Sequence, residues 1–386
     1  IQEAAAILDG KSTGNDYFSL SVYPTSIPVS LELTRIGAAA KLLEAGVIMK
    51  PSFCGPCFGA GDVPANNALS IRHTTRNFPN REGSRPSDGQ LSGVLLMDAR
   101  SIAATAANGG VLTSAADVDY EPPKPVQRVF DASVYERRVY FGFGNAKKDE
   151  PLKFGPNIAE WPKIPALGEN LLLQIASVLN DPVTTTDELI PSGETSSYRS
   201  NPLKLASFAL SRRDPGYVQR AKAAQRLEQR REAGEAPEEL SDVLRTLGLR
   251  RDDLAHMQIG SVIYANKPGD GSAREQAASC QRVLGGAANL CHEYATKRYR
   301  SNCVNWGMLP FTIPQEIDFA GKTGDYLYVP DVREKVRRGD EAFPAKLISG
   351  GCVQDMTLYL KNTTREEREL LLTGCLMNHY AAENRE

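Results

Sequence analysis

Apolar and polar residues alternate in short blocks over the first 118 residues of the chain. Apolar or small side chains recur at helical spacing in residues 1–9, 30–43 and 99–107, and short apolar runs typical of strands occupy residues 19–22 and 93–97. Glycines end the helical patterns, since Gly10, Gly46 and Gly109 follow them. Helices that alternate with short strands predict an α/β layer over residues 1–118.

Prolines change the pattern over residues 119–165, where the sequences EPPKP, GPN and EWPKIP occur. Proline lacks a backbone N–H and interrupts regular elements, so we expect a linker between two domains here. Beyond it, an apolar run at residues 171–179 and a strand-like segment at 260–264 predict a second α/β domain over residues 166–386.

Two charged segments lie inside the second domain, at residues 218–231 and 238–247. Their polar residues recur at helical spacing, which is typical of helices with a solvated face. We therefore expect a charged helical insertion on the surface, at about residues 212–254. RNA contact by its arginines is the less favoured alternative.

Composition excludes several classes of protein. The 386 residues carry 45 Lys and Arg against 47 Asp and Glu, and a formal net charge of −2 gives no positive field for nucleic acid or anionic lipid. No segment approaches the roughly 20 apolar residues that a membrane helix needs. A nucleic-acid partner is therefore disfavoured, and no membrane partner is expected.

Seven cysteines, an odd number, are too few and too scattered for a secreted disulfide scaffold. Reduced thiols and a cytoplasmic location are therefore expected. The chain starts at Ile1, inside a helical pattern and without the charged region of a signal peptide, so we interpret it as a piece of a longer polypeptide.

The sharpest local motif is CGPC, with its thiols at Cys54 and Cys57. A thioredoxin-like dithiol would need a helix after the motif to lower a thiol pKa, and the glycines, proline and asparagines that follow disfavour one. Structural zinc would need two further ligands at suitable spacing, whereas the other cysteines stand singly. An iron–sulfur cluster remains open, because two thiolates from one loop can bind it with ligands from elsewhere.

Further motifs carry groups suited to anionic ligands. Arg76 and Arg81 lie five residues apart in a polar loop, and guanidinium groups bind carboxylates through paired hydrogen bonds, although surface arginines would give the same pattern. The second domain adds a Thr-Asp pair at residues 186–187, YRSN at 198–201 and GDGSAR at 269–274. The last of these is a turn that would bring backbone N–H groups, a hydroxyl and a guanidinium together.

Taken in order along the chain, these motifs resemble those of the aconitase family, which includes isopropylmalate dehydratase and related hydro-lyases. The matching sequences are CGPC, RNFPNR, AATAANG, TTDELIPSG, YRSN, GDGSAREQA and NWGMLPF. The resemblance is to the C-terminal half of the family pattern, and most of all to large single-chain hydratases of undefined substrate. It implies an aconitase-like three-layer α/β/α domain at residues 1–118, the linker at 119–165, and a mobile swivelling β/α domain at 166–386.

The resemblance also implies a cofactor, a [4Fe–4S] cluster held by three cysteines with one iron open to substrate. Cys54 and Cys57 match two of these ligands. The third cysteine ligand is expected from outside this chain, in a Cys-Thr-Asn loop upstream of Ile1. The expected partner is therefore the N-terminal aconitase-like half, in the same polypeptide or in a separate chain.

By their positions in the family motifs, the residues that match substrate-side arginines are Arg76, Arg81, Arg199 and Arg274. Ser272 matches the catalytic serine and Asp187 an acidic catalytic position, and a cap of the helix that begins near Arg274 is the structural alternative for Ser272. Departures from the aconitase pattern are Thr75 for Asn, Glu188 for His and Ala273 for a frequent second Ser. They bear on which acid is the substrate and leave the reaction type unchanged.

The resemblance thus implies a hydro-lyase that reversibly dehydrates and hydrates a hydroxy di- or tricarboxylic acid and is inactive without its N-terminal half. The alternative is a relative without a cluster that acts as a binding or regulatory protein, with RNA as one ligand. A dithiol oxidoreductase that uses Cys54 and Cys57 is the third hypothesis.

Overall fold

The computed structural model of the chain describes residues 1–53, 61–73, 82, 84, 89–125, 130–191 and 195–383. The chain divides into two compact units, Ile1–Pro151 and Leu152–Glu386, and the division falls inside the predicted linker at residues 119–165. Each unit contains both helices and strands, so the mixed α/β class that the sequence predicts is confirmed.

The first unit contains short elements. Its helices are α1 (Gln2–Leu8), α2 (Ile27–Arg35), α3 (Ala38–Glu44), α4 (Ala99–Ala107) and α5 (Ser133–Glu136), and its strands are β1 (Ser21–Val22), β2 (Ile48–Met49), β3 (Leu69–Arg72) and β4 (Gly93–Leu96). β1 pairs with β2 and β3 with β4, both in parallel, so its described residues form two separate two-stranded sheets. The three-layer arrangement of residues 1–118 stays a prediction.

Local capping explains where these helices begin and end. The Ser26 hydroxyl accepts a hydrogen bond from the backbone N–H of Val29 (3.4 Å) at the start of α2. The single helix predicted over residues 30–43 is wrong, because Gly37 has a φ of +77° and separates α2 from α3. The helix predicted at residues 99–107 is confirmed as α4.

The apolar faces of these helices form the core of the first unit. α1 packs against α3 and α4. The buried side chains there include Ile7, Leu8, Leu42, Ala103 and Ala106. The alanines of α4 leave room for the larger side chains of α1, so the small-residue helix is a packing surface.

The second unit is built on a larger sheet. Its strands are β5 (Asn170–Leu179), β6 (Thr184–Thr185), β7 (Met257–Ala265), β8 (Pro268–Asp270), β9 (Gly286–Cys291), β10 (Leu309–Thr312), β11 (Tyr326–Val329), β12 (Ala342–Ser349) and β13 (Cys352–Tyr359). Its helices are α6 (Thr186–Leu189), α7 (Pro202–Ala206), α8 (Tyr217–Glu232), α9 (Ser241–Leu247), α10 (Arg274–Val283), α11 (Lys297–Asn305), α12 (Val332–Arg338), α13 (Arg365–Thr373) and α14 (Leu376–Glu383).

Seven of the described strands close into a barrel, in the order β10-β13-β12-β11-β5-β7-β9. The neighbours β5, β7, β9 and β10 run parallel, whereas β11, β12 and β13 join in antiparallel fashion. Parallel strands end at the same edge of a sheet, so the loops after these four strands meet at one end of the barrel. The barrel closes between β10 and β13 through one residue pair, Thr312 with Tyr359.

Apolar side chains cover both faces of the parallel strands. Along β5, Leu171, Leu173 and Ile175 belong to one buried cluster, and Ala176 belongs to another that includes residues of α7, α8 and α10. β7 is buried over its whole length. Continuous apolar strands are typical of parallel sheets that are covered on both sides. The strand predicted at residues 260–264 is confirmed within β7, and the apolar run at residues 171–179 lies in β5.

Helix α8 differs from the solvated insertion expected at about residues 212–254. Its Tyr217, Ala221 and Ala224 are fully buried, and the helix lies against β5 and β7. Glu228 is also buried, and its carboxylate accepts a hydrogen bond from the backbone N–H of Ile259 (2.8 Å). Small alanines between charged residues give a weak hydrophobic periodicity, so the buried face of α8 cannot be predicted from the sequence pattern.

None of the helices in the described ranges has the length and apolar character required to span a lipid bilayer.

Candidate active site

The predicted site residues fall into two groups. Those outside the described residues are Cys54, Cys57, Arg76 and Arg81, together with the departure at Thr75. Those that the structure describes are Asp187, Arg199, Ser272 and Arg274, all in the second unit. The geometry of the candidate site is therefore that of the second unit.

A short pair of strands brings the Thr-Asp segment next to the turn that contains Ser272. β6 and β8 run parallel. Directly after β6, Thr186 is buried, and its Oγ1 accepts a hydrogen bond from the backbone N–H of Ala273 (3.3 Å). This bond joins positions that are 87 residues apart in the sequence. Asp187 directly follows Thr186 in the chain, and Ser272 directly precedes Ala273.

Two glycines in this turn are required by close contacts. Gly269 and Gly271 have φ angles of +96° and +128°, in the region that favours glycine. A Cβ at Gly271 would lie 2.2 Å from Thr186 Oγ1, and a Cβ at Gly269 would lie 2.3 Å from the Tyr299 ring. The backbone therefore approaches its neighbours too closely for any side chain, and this fixes its path into Ser272.

Ser272 is partly buried and lies immediately before the N-cap of α10. The N-cap residue is Ala273, and among the described side chains none caps this helix. An uncapped helix start leaves backbone N–H groups of its first turn without an intrahelical partner. The alternative in which Ser272 caps α10 is therefore wrong, and Ser272 directly precedes a helix start that favours negative charge.

Arg274 is the first residue of α10 and is partly buried. Its Nε is buried, and it has no hydrogen-bond partner among the residues that the structure describes. A buried donor left in this state costs about 1–3 kcal/mol. A carboxylate would satisfy it through the bidentate geometry that arginine favours. Arg274 is thus suited to bind an anionic ligand.

Asp187 and Glu188 lie in the first turn of α6, and both carboxylates contact arginines. Asp187 Oδ2 accepts from Arg212 Nη1 at 2.7 Å, and Glu188 Oε1 lies 3.4 Å from Arg213 Nε. The other carboxylate oxygen of Glu188 accepts from the backbone N–H of Thr185 (2.7 Å) in a capping box. Glu188 therefore has a structural role, since it holds the start of the helix that carries Asp187.

Arg199 is exposed and follows a short 3₁₀ helix. Asn201 Oδ1 accepts from the backbone N–H of Lys204 (3.1 Å) and so caps α7 directly after the motif. On the other side of Arg199, the Tyr198 ring stacks on Phe208 at a centroid distance of 5.5 Å, with Lys204 Nζ 5.5 Å from the Tyr198 centroid. The YRSN motif is therefore an ordered helix start.

The three described segments of the site lead into helices that pack together. α10 contacts both α6 and α7. The shared apolar cluster includes Leu189 of α6, Leu205 and Ala206 of α7, and Ala277 and Ala278 of α10. The structure therefore brings the supports of Asp187, Arg199 and Ser272 into one cluster.

Trp306, in the NWGMLPF sequence, supports the same helix. Its Nε1 donates to Glu275 Oε1 (3.0 Å), and Glu275 follows Arg274 on α10. Thr186 and Trp306 are not among the predicted site residues, although both lie within motifs that carry the family resemblance. Their positions in those motifs are the signal that could have identified them.

Three of the described cysteines are poor candidates for cluster ligands. Cys280, Cys291 and Cys303 are buried, and burial raises the pKa of each thiol, to about 12 for Cys303. Iron–sulfur ligands are thiolates, so these neutral thiols are unsuited to the role. Across the described ranges, no three His, Cys, Asp or Glu residues gather as a metal site. Cys54 and Cys57, the cluster ligands that the family resemblance implies, lie outside the described residues.

Two protein-family models match the chain. The model of the aconitase family (aconitate hydratase) matches residues 1–104, in the first unit. The model of the aconitase C-terminal domain matches residues 226–316, in the second unit. The second match includes Ser272 and Arg274, so the turn described above lies in the matched part.

The chain is also similar to large subunits of 3-isopropylmalate dehydratase. That of Nitratidesulfovibrio vulgaris (strain DP4) is 35% identical over 114 residues, which cover 29% of this chain and 26% of the relative. The large subunit 2 of Pyrococcus furiosus is 36% identical over 85 residues, which cover 22% of each protein. The chain therefore spans about a quarter of the length of the curated relatives that it matches.

A solved structure, the 3-isopropylmalate dehydratase of Methanocaldococcus jannaschii, is 20% identical to the chain, with a TM-score of 0.33 over 56% of this chain and 96% of that structure.

Both family models, one in each unit, and the identity to the large subunits agree with the order of motifs in the sequence. We conclude from them that the chain belongs to the aconitase family.

Proposed function

We propose that the chain is the C-terminal half of a [4Fe–4S] hydro-lyase that reversibly dehydrates and hydrates a hydroxy di- or tricarboxylic acid. The observation that carries this proposal is the hydrogen bond from Ala273 to Thr186, which joins the Asp187 segment to the turn of Ser272 and Arg274. Ser272 and Arg274 flank Ala273 in the chain, so a hydroxyl and a guanidinium adjoin this junction at a helix start, and these groups are of the kind that proton removal beside a carboxylate requires. Family membership and the named relatives support the hydro-lyase class.

Cys54 and Cys57 would hold the cluster, together with a third cysteine from outside this chain. When bound, the cluster supplies an open iron that acts as a Lewis acid toward the substrate. Arg76 and Arg81 would bind the substrate from the first unit.

Ser272 would remove the proton from the substrate carbon. A serine hydroxyl is a weak base in water, and it becomes effective only where donors stabilise its alkoxide. The first-turn N–H groups of α10 and the guanidinium of Arg274 would be such donors. Arg274 and Arg199 would bind substrate carboxylates, and Asp187, held at the start of α6, would accept a hydrogen bond from the substrate.

The partner in this proposal is the N-terminal aconitase-like half, in the same polypeptide or in a separate chain. That half would supply the third cluster cysteine and the groups that act on the departing hydroxyl, so the chain alone would be inactive. A swivelling second unit would complete the site by bringing Arg199 and Arg274 to the substrate. The five described cysteines are free thiols, and reduced thiols are typical of the cytoplasmic location proposed here.

Reconstitution tests this function. The chain and the N-terminal half are combined and loaded anaerobically with iron and sulfide, and iron content and turnover of citrate, isopropylmalate and related hydroxy acids are measured. We expect both readouts to require both halves. Cys54→Ser should lose the cluster, whereas the control Cys352→Ser, which changes an exposed thiol, should keep it.

Full cluster content in Cys54→Ser would refute the ligand assignment. A folded pair of halves that never takes up iron would favour the binding or regulatory alternative. Disulfide-reductase activity in iron-free protein would favour the dithiol hypothesis.

A further inference from the structure

A short segment near the start of the second unit, residues 159–165, contacts two parts of the candidate site, and we call it the strap. Its first residue, Ala159, donates its backbone N–H to the carbonyl oxygen of Ser200 in the YRSN motif (3.0 Å). Its Trp161 ring lies on the ring of Trp306, with the centroids 4.5 Å apart and the planes inclined by 37°.

The Trp161 contact continues to the start of α10. Trp306 is almost completely buried and donates from Nε1 to Glu275 Oε1 (3.0 Å). Glu275 follows Arg274, whose buried Nε has no partner in the described part of the chain. A packed ring and a charge-assisted hydrogen bond therefore connect the strap to the neighbour of the candidate carboxylate ligand.

The strap also contacts the other end of α10. The Pro165 carbonyl accepts from Arg282 Nη2 (2.8 Å), and Arg282 Nη1 donates to the Gly286 carbonyl (3.1 Å). Burial lowers the pKa of Arg282 to about 10, so the side chain stays charged at neutral pH and depends on these carbonyls. Contacts near both ends of a ten-residue helix fix its position and its rotation.

The strap is held along its length. Pro162 and Pro165 restrict its backbone. Ile164 is buried, and its carbonyl accepts from Asn378 Nδ2 (3.0 Å). Trp161 differs from Ile164 because 39% of its surface is exposed. Removing the Trp161 ring therefore leaves the apolar core of the unit intact while it breaks the link to Trp306.

We propose that the strap is a positioning element, in which Ala159 fixes the segment of Arg199 and Trp161 fixes the helix of Arg274. The proposal rests on the function proposed above, in which both guanidiniums bind carboxylates of one substrate. Two bidentate contacts to one small molecule require placement to within about 0.5 Å. One stiff segment that contacts both supports sets the spacing between them.

Hydrogen exchange measures this coupling without any ligand. In the full 386-residue chain, Trp161→Ala should raise the exchange rates of α10 amides at residues 277–283 about tenfold, with β12 and β13 unchanged. Trp161→Phe keeps an aromatic ring on Trp306 and should stay within about twofold of the unmodified chain. The matched control is Phe154→Ala, which removes another partly exposed aromatic ring from the start of the same unit.

Citrate, used as a hydroxytricarboxylate probe, measures the positioning itself. With the chain reconstituted with its N-terminal half and the cluster, calorimetric titration should give a Kd about tenfold higher for Trp161→Ala than for the unmodified protein, and a Kd within about twofold for Trp161→Phe and Phe154→Ala. Ala159→Pro removes the N–H that donates to Ser200. That variant should weaken citrate binding by about tenfold as well, with α10 exchange unchanged.

The two measurements separate failure of the strap from failure of the function. Unchanged α10 exchange, or an unchanged Kd, in Trp161→Ala would overturn the strap proposal while the proposed function stood. If the protein reconstituted with its N-terminal half and the cluster fails to bind citrate, or binds it as well after Arg274→Ala, the carboxylate site assigned to this chain is wrong and the strap proposal falls with it.

Discussion

At the scale of single residues, the neighbours Gly271 and Ser272 differ in whether their position can hold a side chain. Ser272 has a side chain that makes no helix cap, so its hydroxyl is free of the structural role that serine usually has before a helix. Gly271 can carry no side chain, because Thr186 lies against its Cα. Ser272 is therefore available for the proposed catalytic role, whereas Gly271 is required by the path of the backbone.

Replacement of Ser272 by Ala is expected to lower kcat of the reconstituted enzyme about a hundredfold or more, since the base is lost. Stability should be unchanged, because loss of a true cap costs about 0.5–2 kcal/mol and Ser272 makes none. Steady-state kinetics and thermal unfolding give the two values, with Ser349→Ala at the end of β12 as the control. A near-normal kcat with a lowered Tm would restore the capping role.

Replacement of Gly271 by Ala is expected to destabilise the chain through both φ and contact. The backbone strain alone costs about 1–3 kcal/mol, and the added Cβ would meet Thr186 Oγ1 at 2.2 Å. Gly324 has a φ of +98° and no described atom within 4 Å of an added Cβ, so Gly324→Ala measures the strain alone. Urea unfolding compares the variants, and equal losses of unfolding free energy would contradict the Thr186 contact.

At the scale of elements, α4 shows how a local cap produces a pH-dependent helix start. Its N-cap is Asp98, whose pKa is lowered to about 2, chiefly because the Ser101 hydroxyl donates to the carboxylate. The ordinary pKa of this group is 3.8. The ionised cap therefore contributes fully above about pH 4, and its contribution is lost as the pH falls toward about 2.

Asp98→Asn keeps a hydrogen-bond acceptor and removes the charge. Its free energy of unfolding should therefore fall less than that of the unmodified chain between pH 5 and about pH 3. Urea unfolding at pH 5, 4 and 3 provides the comparison. Parallel losses in both proteins would mean that the Asp98 carboxylate does not stabilise α4.

Sequence patterns could predict those elements whose signals are local. α4 has its cap and its terminating glycine within its own segment, whereas the break at Gly37 depends on a φ that apolar spacing does not reveal. The buried alanines of α8 give too weak a period to predict a packed face. β6 and β8 have two and three residues, fewer than the roughly four that an alternating strand pattern needs. Their pairing depends on the path of the chain between them. The motifs therefore yield candidate site residues, but they do not predict the contact that joins the segments of those residues.

At the scale of the whole chain, the second unit has its own closed barrel and its own buried clusters. Both tryptophans of the chain, Trp161 and Trp306, lie within it. Tryptophan fluorescence and near-ultraviolet circular dichroism from this ring pair therefore report on the second unit.

A fragment with residues 152–386 is expected to fold alone and to unfold cooperatively, because its core needs no residue of the first unit. Its near-ultraviolet signal should match that of the full chain. A fragment that begins at residue 166, the boundary predicted from sequence, lacks buried Ile164 and should have a lower Tm. Gradual unfolding of the longer fragment, or equal Tm values for both, would contradict this account of the unit.

The single residue pair that closes the barrel, Thr312 with Tyr359, has a thermodynamic consequence for the whole unit. Every other junction between neighbouring barrel strands contains at least three residue pairs. We therefore expect the barrel to open first by separation of β10 from β13, which would convert a closed surface into an open sheet with two edges. In that open form β13 exposes its unpaired edge, while the parallel strands and the candidate site beside them stay assembled.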